Sequence, residues 1–314
     1  MTTEPTRTRL NRRRLIKGTV GAAGLATAGI AGVRLSHADE PAPTAEPAGV
    51  EPTAAGHPGM LHTQADLDRM AEKVAAGAEP WIWGWDRLTA NGHSRTSWSP
   101  RPARVVVRGG TGSNFPQLYR DIHAAYQNAL RWKISGDEAH RDTAVAILNA
   151  WSENLTEVTG NADRYLASGI YGYQFCNAAE LVRDADGFDL GAFQDMVTAV
   201  FLPLSEGFLV KHNDACDTNY WANWDLCNMA NILACGILTD DRTLVDRAVD
   251  YFWNGAGNGA IENAFPFVYD GGLAQWQESG RDQAHSIMGI GLMGAFIGHR
   301  RGYSGLQAGE ESAL

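Results

Sequence analysis

The sequence predicts an all-α fold built as a toroid of helical hairpins. Apolar residues recur at spacings of three and four from Phe115 onward, the period of a helix with one buried face. Two segments pair such helices around short turns, at Gly136-Asp137 and at Asp240-Asp241. Repeated helical hairpins are typical of toroids and solenoids. Polar and aromatic residues near the helix starts favour a toroid with a substrate cleft.

Further helices are predicted before, between and after these hairpins. Residues 63–66 resemble a capping box at the start of a helix. The apolar periodicity predicts the other helices, at residues 169–183, 191–209, 221–238 and 287–297. Residues 80–85 interrupt the helical pattern. Residues 98–114 are rich in Pro, Gly and Ser and indicate an irregular excursion, with one β-like run at residues 105–107.

The N-terminus has the pattern of an export signal. Paired arginines at 12–14 precede a weakly apolar run of about 15 residues, which is shorter than the roughly 20 that a spanning helix needs. We therefore interpret residues 1–38 as a twin-arginine signal peptide, removed after Ala38. This predicts engagement of the twin-arginine translocase, an extracellular or periplasmic location, and no stable membrane anchor after cleavage. Residues 39–56 are predicted to be a disordered Pro/Ala/Glu linker, and residues 57–314 the folded domain.

Charge and cysteine content narrow the function classes. The net charge of −10 disfavours nucleic-acid binding, which needs a basic surface. Removal of residues 1–38, with seven basic residues and one acidic residue, would leave the chain more acidic still. A polyanionic ligand would therefore need a local positive site. The four cysteines give no disulfide framework, and no His/Cys group has zinc-ligand spacing, so we expect buried free thiols and no metal.

One candidate binding segment spans residues 219–228. Asn219 and Asn223 are four residues apart, so on a helix they would face the same way. Trp221 and Trp224 are three apart and could form one aromatic wall, against which a sugar ring stacks. The alternative is an N-capping asparagine followed by a Trp-rich core helix.

A second candidate segment spans residues 275–285, directly before an apolar helix. It holds three glutamines, two acids, an arginine and a histidine. Glu278, Arg281 and His285 recur at spacings of three and four, so one helical face could present all three. The alternative is a surface Arg281–Glu278 pair at a capped helix start.

Several segments together resemble the alginate lyase domain family of uronate polysaccharide lyases. They are Gly169-Ile-Tyr-Gly-Tyr-Gln-Phe175, Asn219-Tyr-Trp-Ala-Asn-Trp-Asp-Leu226, Asn254-Gly-Ala-Gly-Asn-Gly-Ala-Ile261, Gln275-Trp-Gln-Glu-Ser-Gly-Arg-Asp-Gln283 and the opening His57-Pro-Gly-Met-Leu-His62. The resemblance implies an α/α toroid and β-elimination of a polyuronate such as alginate or glucuronan, without a redox cofactor. Classical members of this architecture carry Asn-Asn-His-Ser-Tyr-Trp, with a catalytic His. This chain has Cys216-Asp217-Thr218-Asn219-Tyr220-Trp221, so that His is absent.

The chemistry of β-elimination suggests roles for these residues. A lyase neutralises the uronate carboxylate, removes the C5 proton and protonates the O4 leaving group. The candidates for the carboxylate are Asn219, Asn223, Gln275 and Arg281. The candidates for proton transfer are His285, Tyr171, Tyr173 and Tyr220, with Glu278 orienting His285 or Arg281. Trp221, Trp224, Gln277 and Gln174 complete the predicted substrate-binding set, and Glu278, Arg281 and His285 are expected to line one cleft with Asn219 and Trp221.

Two other functions remain open from the sequence. A glycoside hydrolase on the same toroid would use Glu278 with Asp225 or Asp282 as its carboxylate pair. The second alternative is a non-catalytic glycan-binding remnant, because the resemblance to the family ends near Gly298 and a polar tail follows. From this we expect a toroid that is incomplete at its C-terminus, with impaired activity. Gly289, Leu292, Met293 and Phe296 would then border an exposed apolar patch.

The export signal makes a direct prediction. Protein recovered from the culture medium or the periplasm should begin at or near Asp39, because the small residues at 36–38 fit the signal-peptidase site. N-terminal sequencing measures this. Replacing Arg12 and Arg13 by lysine should retain the leader on a cytoplasmic form. Secreted protein that still begins at Met1 would contradict the prediction.

Overall fold

The computed structural model describes residues 56–276 and 280–300, with the side chains of 298–300 left undescribed. The predicted signal peptide, the linker up to residue 55 and the tail after 300 lie outside these residues. The helices are α1 Gln64–Ala75, α2 Trp81–Ala90, α3 Pro116–Ser135, α4 Glu138–Asn154, α5 Asp163–Leu181, α6 Leu190–Met196, α7 Leu202–Lys211, α8 Ala222–Leu238, α9 Arg242–Asn254, α10 Ile261–Ala264 and α11 Gly280–Arg300. The short strands are β1 Val105–Arg108, β2 Glu157–Gly160, β3 Phe267–Val268 and β4 Ala274–Gln275.

The helices form the two layers of an α/α toroid, as the sequence predicted. Helices α3, α5, α8 and α11 pack side by side in chain order and make the inner layer. Helix α4 returns along α3 and α9 returns along α8, while α7 packs between α5 and α8 from outside. Residues 197–201 join α6 to α7 as a π-helical turn. The stretch Leu190–Asp214 is long and apolar enough to cross a membrane, but core helices of soluble proteins share this property.

Local sequence signals explain where several helices begin and end. The Thr63 side chain accepts from the Asp66 N–H and the Asp66 carboxylate accepts from the Thr63 N–H, so the predicted capping box is confirmed. Asp137 and Asp241 cap α4 and α9 in the two predicted hairpins. Gly136 ends α3 in the left-handed conformation, with φ 75°.

Two expectations about local structure are wrong, and a third stays open. Residues 81–90 form α2, because Pro80 stands at the helix start, where its missing N–H costs nothing. Helix α8 begins at Ala222, so Asn219 lies in a turn before it and does not share a helical face with Asn223. Met293 and Phe296 are fully buried and Gly289 lies against Leu226 of α8, whereas Ile287 and Met288 on the same helix are 51% and 55% exposed, so the exposed apolar patch at the C-terminal end of the toroid stays a prediction.

The opening segment is tied to the far ends of α5 and α8. His57 hydrogen-bonds to Glu180 (Nδ1–Oε1 2.5 Å) and to Asp240 (Nε2–Oδ1 3.0 Å). The Gly59 N–H donates to Glu180 as well, at 3.1 Å. These bonds raise the pKa of His57, with the Glu180 bond the largest cause. The motif at residues 57–62 therefore has a structural role, at the end of the helices opposite their N-termini.

A buried aspartate holds the irregular excursion against the core. Asp121 on α3 is fully buried and accepts hydrogen bonds from the indole N–H groups of Trp98 and Trp151, both at 2.9 Å. It also accepts from the Arg101 backbone N–H at 2.8 Å. From this anchor the chain runs into β1, which pairs in parallel with β2 so that Arg108 lies opposite Gly160. Asp121 thus holds the segment that leads into β1, the strand that carries Arg108.

The closest helix contact is that of α5 with α8, and two glycines permit it. A Cβ on Gly169 would lie 2.5 Å from Cys227 Sγ and 2.8 Å from the Cys227 carbonyl carbon. A Cβ on Gly172 would lie 2.0 Å from Asn231 Oδ1. Real Cβ atoms do not come this close, so any larger residue pushes the two helices apart.

Gly169→Ala should therefore lower the free energy of unfolding by about 1–3 kcal/mol, because the new methyl group meets backbone atoms of α8 that cannot move independently. Gly84→Ala in α2 is the matched control. Nothing lies within 4 Å of the added Cβ there, so alanine should stabilise by roughly 0.5–1 kcal/mol through helix propensity. Urea unfolding followed by circular dichroism measures both. A neutral Gly169→Ala would show that the α5–α8 spacing is adjustable.

Candidate functional site

Strand β1 ends in a half-buried arginine, which lies among aromatic rings at the start of α3 and in the middle of α5. The Arg108 guanidinium lies over the rings of Phe115 and Tyr171, with its central carbon 5.2 and 5.4 Å from their centroids. Its Nη1 is buried and has no hydrogen-bond partner among the described residues. A buried guanidinium nitrogen without an acceptor is costly, so this group is suited to binding an anion.

Tyrosine and histidine side chains from α3 and α5 extend this cluster. The Tyr119 ring lies 6.2 Å from Tyr171 and 5.7 Å from His123, centroid to centroid. Burial raises the pKa of Tyr171, although the Arg108 charge opposes the shift. Desolvation lowers the pKa of His123, aided by the nearby His93, although the His123 residue remains exposed. At neutral pH the phenol therefore keeps its proton and the imidazole is free to accept one.

Helix α8 contributes amides to the same region. Cys227 touches α5 at Gly169, and the Arg108 charge reaches this thiol. Burial nevertheless raises the pKa of Cys227 to about 12, so it is a neutral thiol. The Oδ1 atoms of Asn223 and Asn228 are buried and have no hydrogen-bond partner in the described part of the chain. Asn223 is half-buried and its oxygen can accept from a polar ligand, whereas Asn228 is fully buried and its Nδ2 donates to the Trp224 carbonyl at 2.9 Å.

A strained segment precedes α8. His212, Asn213 and Asp214 all have positive φ, at 45°, 55° and 60°. This left-handed conformation is unfavourable for residues other than glycine, so other contacts must hold it. The His212 ring is buried and its Nε2 lies 3.0 Å from Oδ1 of Asp225, which is fully buried too.

The glycine-rich segment at residues 254–261 packs against this ion pair. The Gly259 N–H donates to Asp225 Oδ2 at 2.8 Å, and Cβ atoms on Gly257 or Gly259 would collide with the Asp225 side chain. The Tyr251 hydroxyl lies 3.2 Å from His212 Nε2. Asp225 raises the pKa of His212, chiefly through their hydrogen bond. Burial raises the pKa of Asp225, and the bonds from His212 and Gly259 act in the opposite direction.

The strained segment positions Asn213 between the Tyr220 hydroxyl and the Arg164 guanidinium. Asn213 Nδ2 donates to the Tyr220 hydroxyl at 3.0 Å, and its Oδ1 accepts from Arg164 at 3.2 Å. Arg164 also donates to the Tyr165 hydroxyl at 2.8 Å and to the Gly160 carbonyl at 3.4 Å. Gly160 is the residue opposite Arg108, so Arg164 lies beside the Arg108 cluster.

The structure brings some of the predicted site residues together. Tyr171 and Gln174 face α3, and the pKa of His123 responds to the nearby Gln174 side chain. The Gln174 Nε2 donates to Tyr173, whose pKa is raised by burial. Asn223 is half-buried on α8, and Tyr220 belongs to the Asn213 group.

The other predicted residues that the structure describes show no hydrogen bond or ring contact to the Arg108 cluster, and their part in substrate binding stays a prediction. Trp224 packs against Phe208 and Tyr220, whereas Trp221 is 46% exposed, so the two tryptophans do not stack as one wall. Exposed positions are also found for Asn219, for Gln275 in β4, and for Arg281 and His285 on α11. Neither Arg281 nor His285 makes a hydrogen bond to Asn219 or Trp221 within the described chain. Gln277 and Glu278 lie outside the described residues.

The sequence analysis did not select Arg108 or His123. The distribution of charge along the chain nevertheless points to the segment that contains Arg108. Residues 87–120 contain six arginines and neither lysine, aspartate nor glutamate, in a chain with 36 acidic residues. The carboxylate that follows, Asp121, is fully buried and bonded to neutral N–H donors. The excess of positive charge that a polyanionic ligand needs therefore lies in and next to the irregular segment at residues 98–114.

The carboxylate pair suggested for a glycoside hydrolase is wrong in its Asp225 member. Both Asp225 oxygens are engaged, by His212 and by the Gly259 N–H, and the side chain is fully buried. It cannot reach a glycosidic bond. No cluster of three or more His, Cys, Asp or Glu with metal-binding geometry occurs in the described residues. The four cysteines are free: Cys176, Cys227 and Cys235 are buried, as expected from their apolar helical patterns, and Cys216 is exposed.

Comparison with known proteins identifies the family. The family model described as alginate lyase matches residues 106–286, more than half of the chain. The chain belongs to this family, whose members are polysaccharide lyases that act on acidic polysaccharides. The structure is similar to the crystal structure of an alginate lyase from Bacteroides ovatus, with a TM-score of 0.53 and 13% identity over 79% of this chain and 77% of that one. No curated protein matches the sequence.

The buried His212–Asp225 pair makes a pH-dependent prediction. The pKa of His212 is raised in the folded state, so its contribution to stability is complete below the ordinary histidine pKa of 6.5 and is lost as pH rises through the folded value. His212→Gln should cost about 3 kcal/mol of unfolding free energy near pH 6, because Asp225 loses its cation. This loss of unfolding free energy in His212→Gln should be smaller in alkaline buffer.

Arg242→Gln is the matched control, since the exposed Arg242–Asp246 pair should contribute less than about 1 kcal/mol. Urea unfolding of each variant and the parent at several pH values measures the effect. A His212→Gln cost that does not change with pH would show that His212 is neutral in the folded protein.

Proposed function

We propose that this protein cleaves a polyuronate, of the alginate or glucuronan type, by β-elimination at the Arg108 cluster. The observation that carries the proposal is the half-buried Arg108 guanidinium, whose Nη1 has no acceptor among the described residues and which lies between Phe115 and Tyr171. An unpaired buried cation amid aromatic rings is suited to a ring-shaped substrate that carries a carboxylate.

Arg108 would neutralise the uronate carboxylate. The C5 proton is weakly acidic because its removal places a second negative charge next to that carboxylate. A guanidinium held in a site of low dielectric stabilises the developing dianion, and preorganised donors of this kind are worth about 10²–10³ in rate. The half-buried Asn223, whose Oδ1 has no hydrogen-bond partner among the described residues, would orient a sugar hydroxyl.

His123 and Tyr171 are suited to the two proton transfers. The lowered pKa of His123 leaves a neutral imidazole that can accept the C5 proton. The raised pKa of Tyr171 keeps a phenolic proton available for the O4 leaving group. As the C5–H bond breaks, its electrons form the C4–C5 double bond, and the C4–O4 bonding pair leaves with oxygen and takes the tyrosine proton.

Export would place the enzyme in the compartment that contains its polysaccharide substrate. A polysaccharide cannot cross the inner membrane, so we propose that the twin-arginine leader delivers the folded enzyme to the periplasm or the medium. This part of the proposal rests on the sequence of residues 1–38 alone.

Arg108→Gln should lower kcat for double-bond formation by about 10²–10³, because glutamine keeps hydrogen bonding but removes the charge that stabilises the dianion. The measurement is the ultraviolet absorbance of the conjugated product, with alginate and glucuronan assayed separately. Arg242→Gln should retain full activity. Activity of Arg108→Gln equal to that of the parent would remove Arg108 from the mechanism. New reducing ends without absorbance would identify a hydrolase, and neither signal would identify a binding protein.

His123→Ala should lower kcat by about 10²–10⁴, the usual contribution of a general base. In the parent, the acidic limb of the kcat/KM profile should fall below the ordinary histidine value of 6.5, because the pKa of His123 is lowered. The variant should lose this limb. If His123→Ala stays active while Tyr171→Phe is inactive, the tyrosine performs both proton transfers.

A further inference from the structure

A histidine that acts as a base needs an acceptor for its remaining N–H, and His123 has no carboxylate for this purpose. A neutral imidazole carries one N–H, and the group that accepts from it decides which ring nitrogen is free to take a proton. In many enzymes this acceptor is a carboxylate. Among the described residues, no aspartate or glutamate forms a hydrogen bond or an ion pair with His123. The acceptor must therefore be a neutral group.

Three elements bring polar or titratable side chains to the His123 ring. The short helical turn at residues 92–94 contributes His93, whose ring lies edge-on with its centroid 6.1 Å away. Helix α3 itself contributes Tyr119, at 5.7 Å between the centroids. Helix α5 contributes the amide of Gln174. Of these groups, the Gln174 carbonyl oxygen is an acceptor that does not itself ionise.

The positive groups near His123 oppose its protonation. Desolvation and the charge of His93 lower the pKa of His123, and the Gln174 side chain acts in the opposite direction. The Arg120 guanidinium lies over the Tyr119 ring, 6.0 Å from its centroid, and is therefore one aromatic ring away from the histidine. The amide of Gln174 is thus the neighbour that favours the protonated ring.

The Gln174 amide has its nitrogen engaged and its oxygen unengaged. Its Nε2 donates to the Tyr173 hydroxyl at 3.3 Å. Its Oε1 is buried and has no hydrogen-bond partner in the described part of the chain. A buried carbonyl oxygen without a donor is costly, and an approaching N–H removes that cost. Hydrogen bonds of a general base often become short only when the substrate is bound, so the His123 N–H is suited to be this donor.

A neutral acceptor suits this site better than a carboxylate, for two reasons. A carboxylate next to the ring would raise the pKa of His123 and favour an imidazolium, which cannot accept a proton. It would also repel an anionic polysaccharide. An amide oxygen selects one tautomer of the imidazole without either effect.

We propose that Gln174 is a positioning residue for His123: its Oε1 accepts the N–H of the neutral ring and leaves the other ring nitrogen free for the substrate. The inference rests on the proposed function, since it takes His123 as the base. During elimination the free nitrogen takes the C5 proton, the ring then carries two N–H groups, and the extra proton later passes to water. Gln174 exchanges no proton, and Tyr173 holds its amide in this orientation. These roles differ from the substrate contact and the proton transfer that the sequence predicts for the two residues.

Gln174→Glu and Gln174→Leu test the proposal through the pH dependence of kcat/KM. Glutamate keeps the acceptor oxygen and adds a charge that favours the imidazolium, so the acidic limb should move up by about one pH unit or more. Leucine removes the acceptor, so the limb should move down and kcat should fall about tenfold, the contribution of one hydrogen bond to a charged group. The position of the limb is compared and not its height, because glutamate also repels the polyanion.

Gln194→Glu is the matched control. Gln194 donates to the Leu238 carbonyl at 2.8 Å, at the end of α8 that lies away from His123, so the same substitution there should leave the limb in place. A Gln174 that only contacts the substrate would raise KM in both variants and leave the limb where the parent has it. That result would overturn the positioning role.

An NMR titration of the His123 ring in the substrate-free enzyme separates this inference from the proposed function. The His123 signals, assigned by their loss in His123→Ala, should titrate at higher pH in Gln174→Glu and at lower pH in Gln174→Leu than in the parent. Equal titration in all three proteins, beside an inactive His123→Ala, would overturn the positioning role and leave the proposed function standing. Shifted titration, beside a fully active His123→Ala, would do the reverse.

Tyr173→Phe tests what holds the amide. Without the hydroxyl, the Gln174 amide can turn its nitrogen toward His123, so kcat should fall about three- to tenfold. The same change made in Gln174→Leu should cost little more, because the two residues act through one hydrogen bond. A loss as large as that of His123→Ala, at an unchanged urea midpoint, would make Tyr173 a proton-transfer group and contradict the arrangement. Gln174→Glu has nearly the shape of the parent, so the pH test holds even if Tyr173→Phe is unstable.

Discussion

The close contact between α5 and α8 is the constraint on which the rest of the site depends. Gly169 and Gly172 let the two inner helices approach until a single methyl group would collide with the opposite backbone or side chain. At this separation, Cys227 on α8 lies against Gly169 and acts electrostatically on Tyr173 of α5, and the Arg108 charge reaches the Cys227 thiol. A wider spacing would move α8 and its Cys227 away from the Arg108 cluster on α5.

Helices and hairpins were predictable because their signals are local or periodic. The capping box at Thr63, the left-handed Gly136 and the aspartate caps at 137 and 241 each act within one helical turn. Helix α2 was not predicted, because its tryptophans show no clear apolar period and Pro80 is equally typical of a helix break and a helix start.

The site was less predictable, since its residues are brought together by long-range contacts. Arg108 stands in an irregular segment and acquires its surroundings only when β1 pairs with β2, about fifty residues later in the chain. The polar segment near residue 281 was conspicuous in the sequence; Arg281 and His285 are exposed on α11, and their role in the site stays a prediction. The positive φ angles at 212–214 leave no trace in composition, because the residues involved are ordinary. Tyr171 and Gln174 were predictable because they lie within a long family motif.

The separation of charge along the chain also affects how the protein moves through its surroundings. With six positive charges confined to residues 87–120, the remaining residues of the full chain carry a net −16. The chain outside residues 87–120 therefore repels a polyuronate on average, and the excess of positive charge lies in that segment. In a dense gel of such polymer, a protein with this distribution avoids adhering through its outer faces. It stays mobile between encounters, and cleaved fragments that leave the cleft are driven away instead of sliding onto a neighbouring surface.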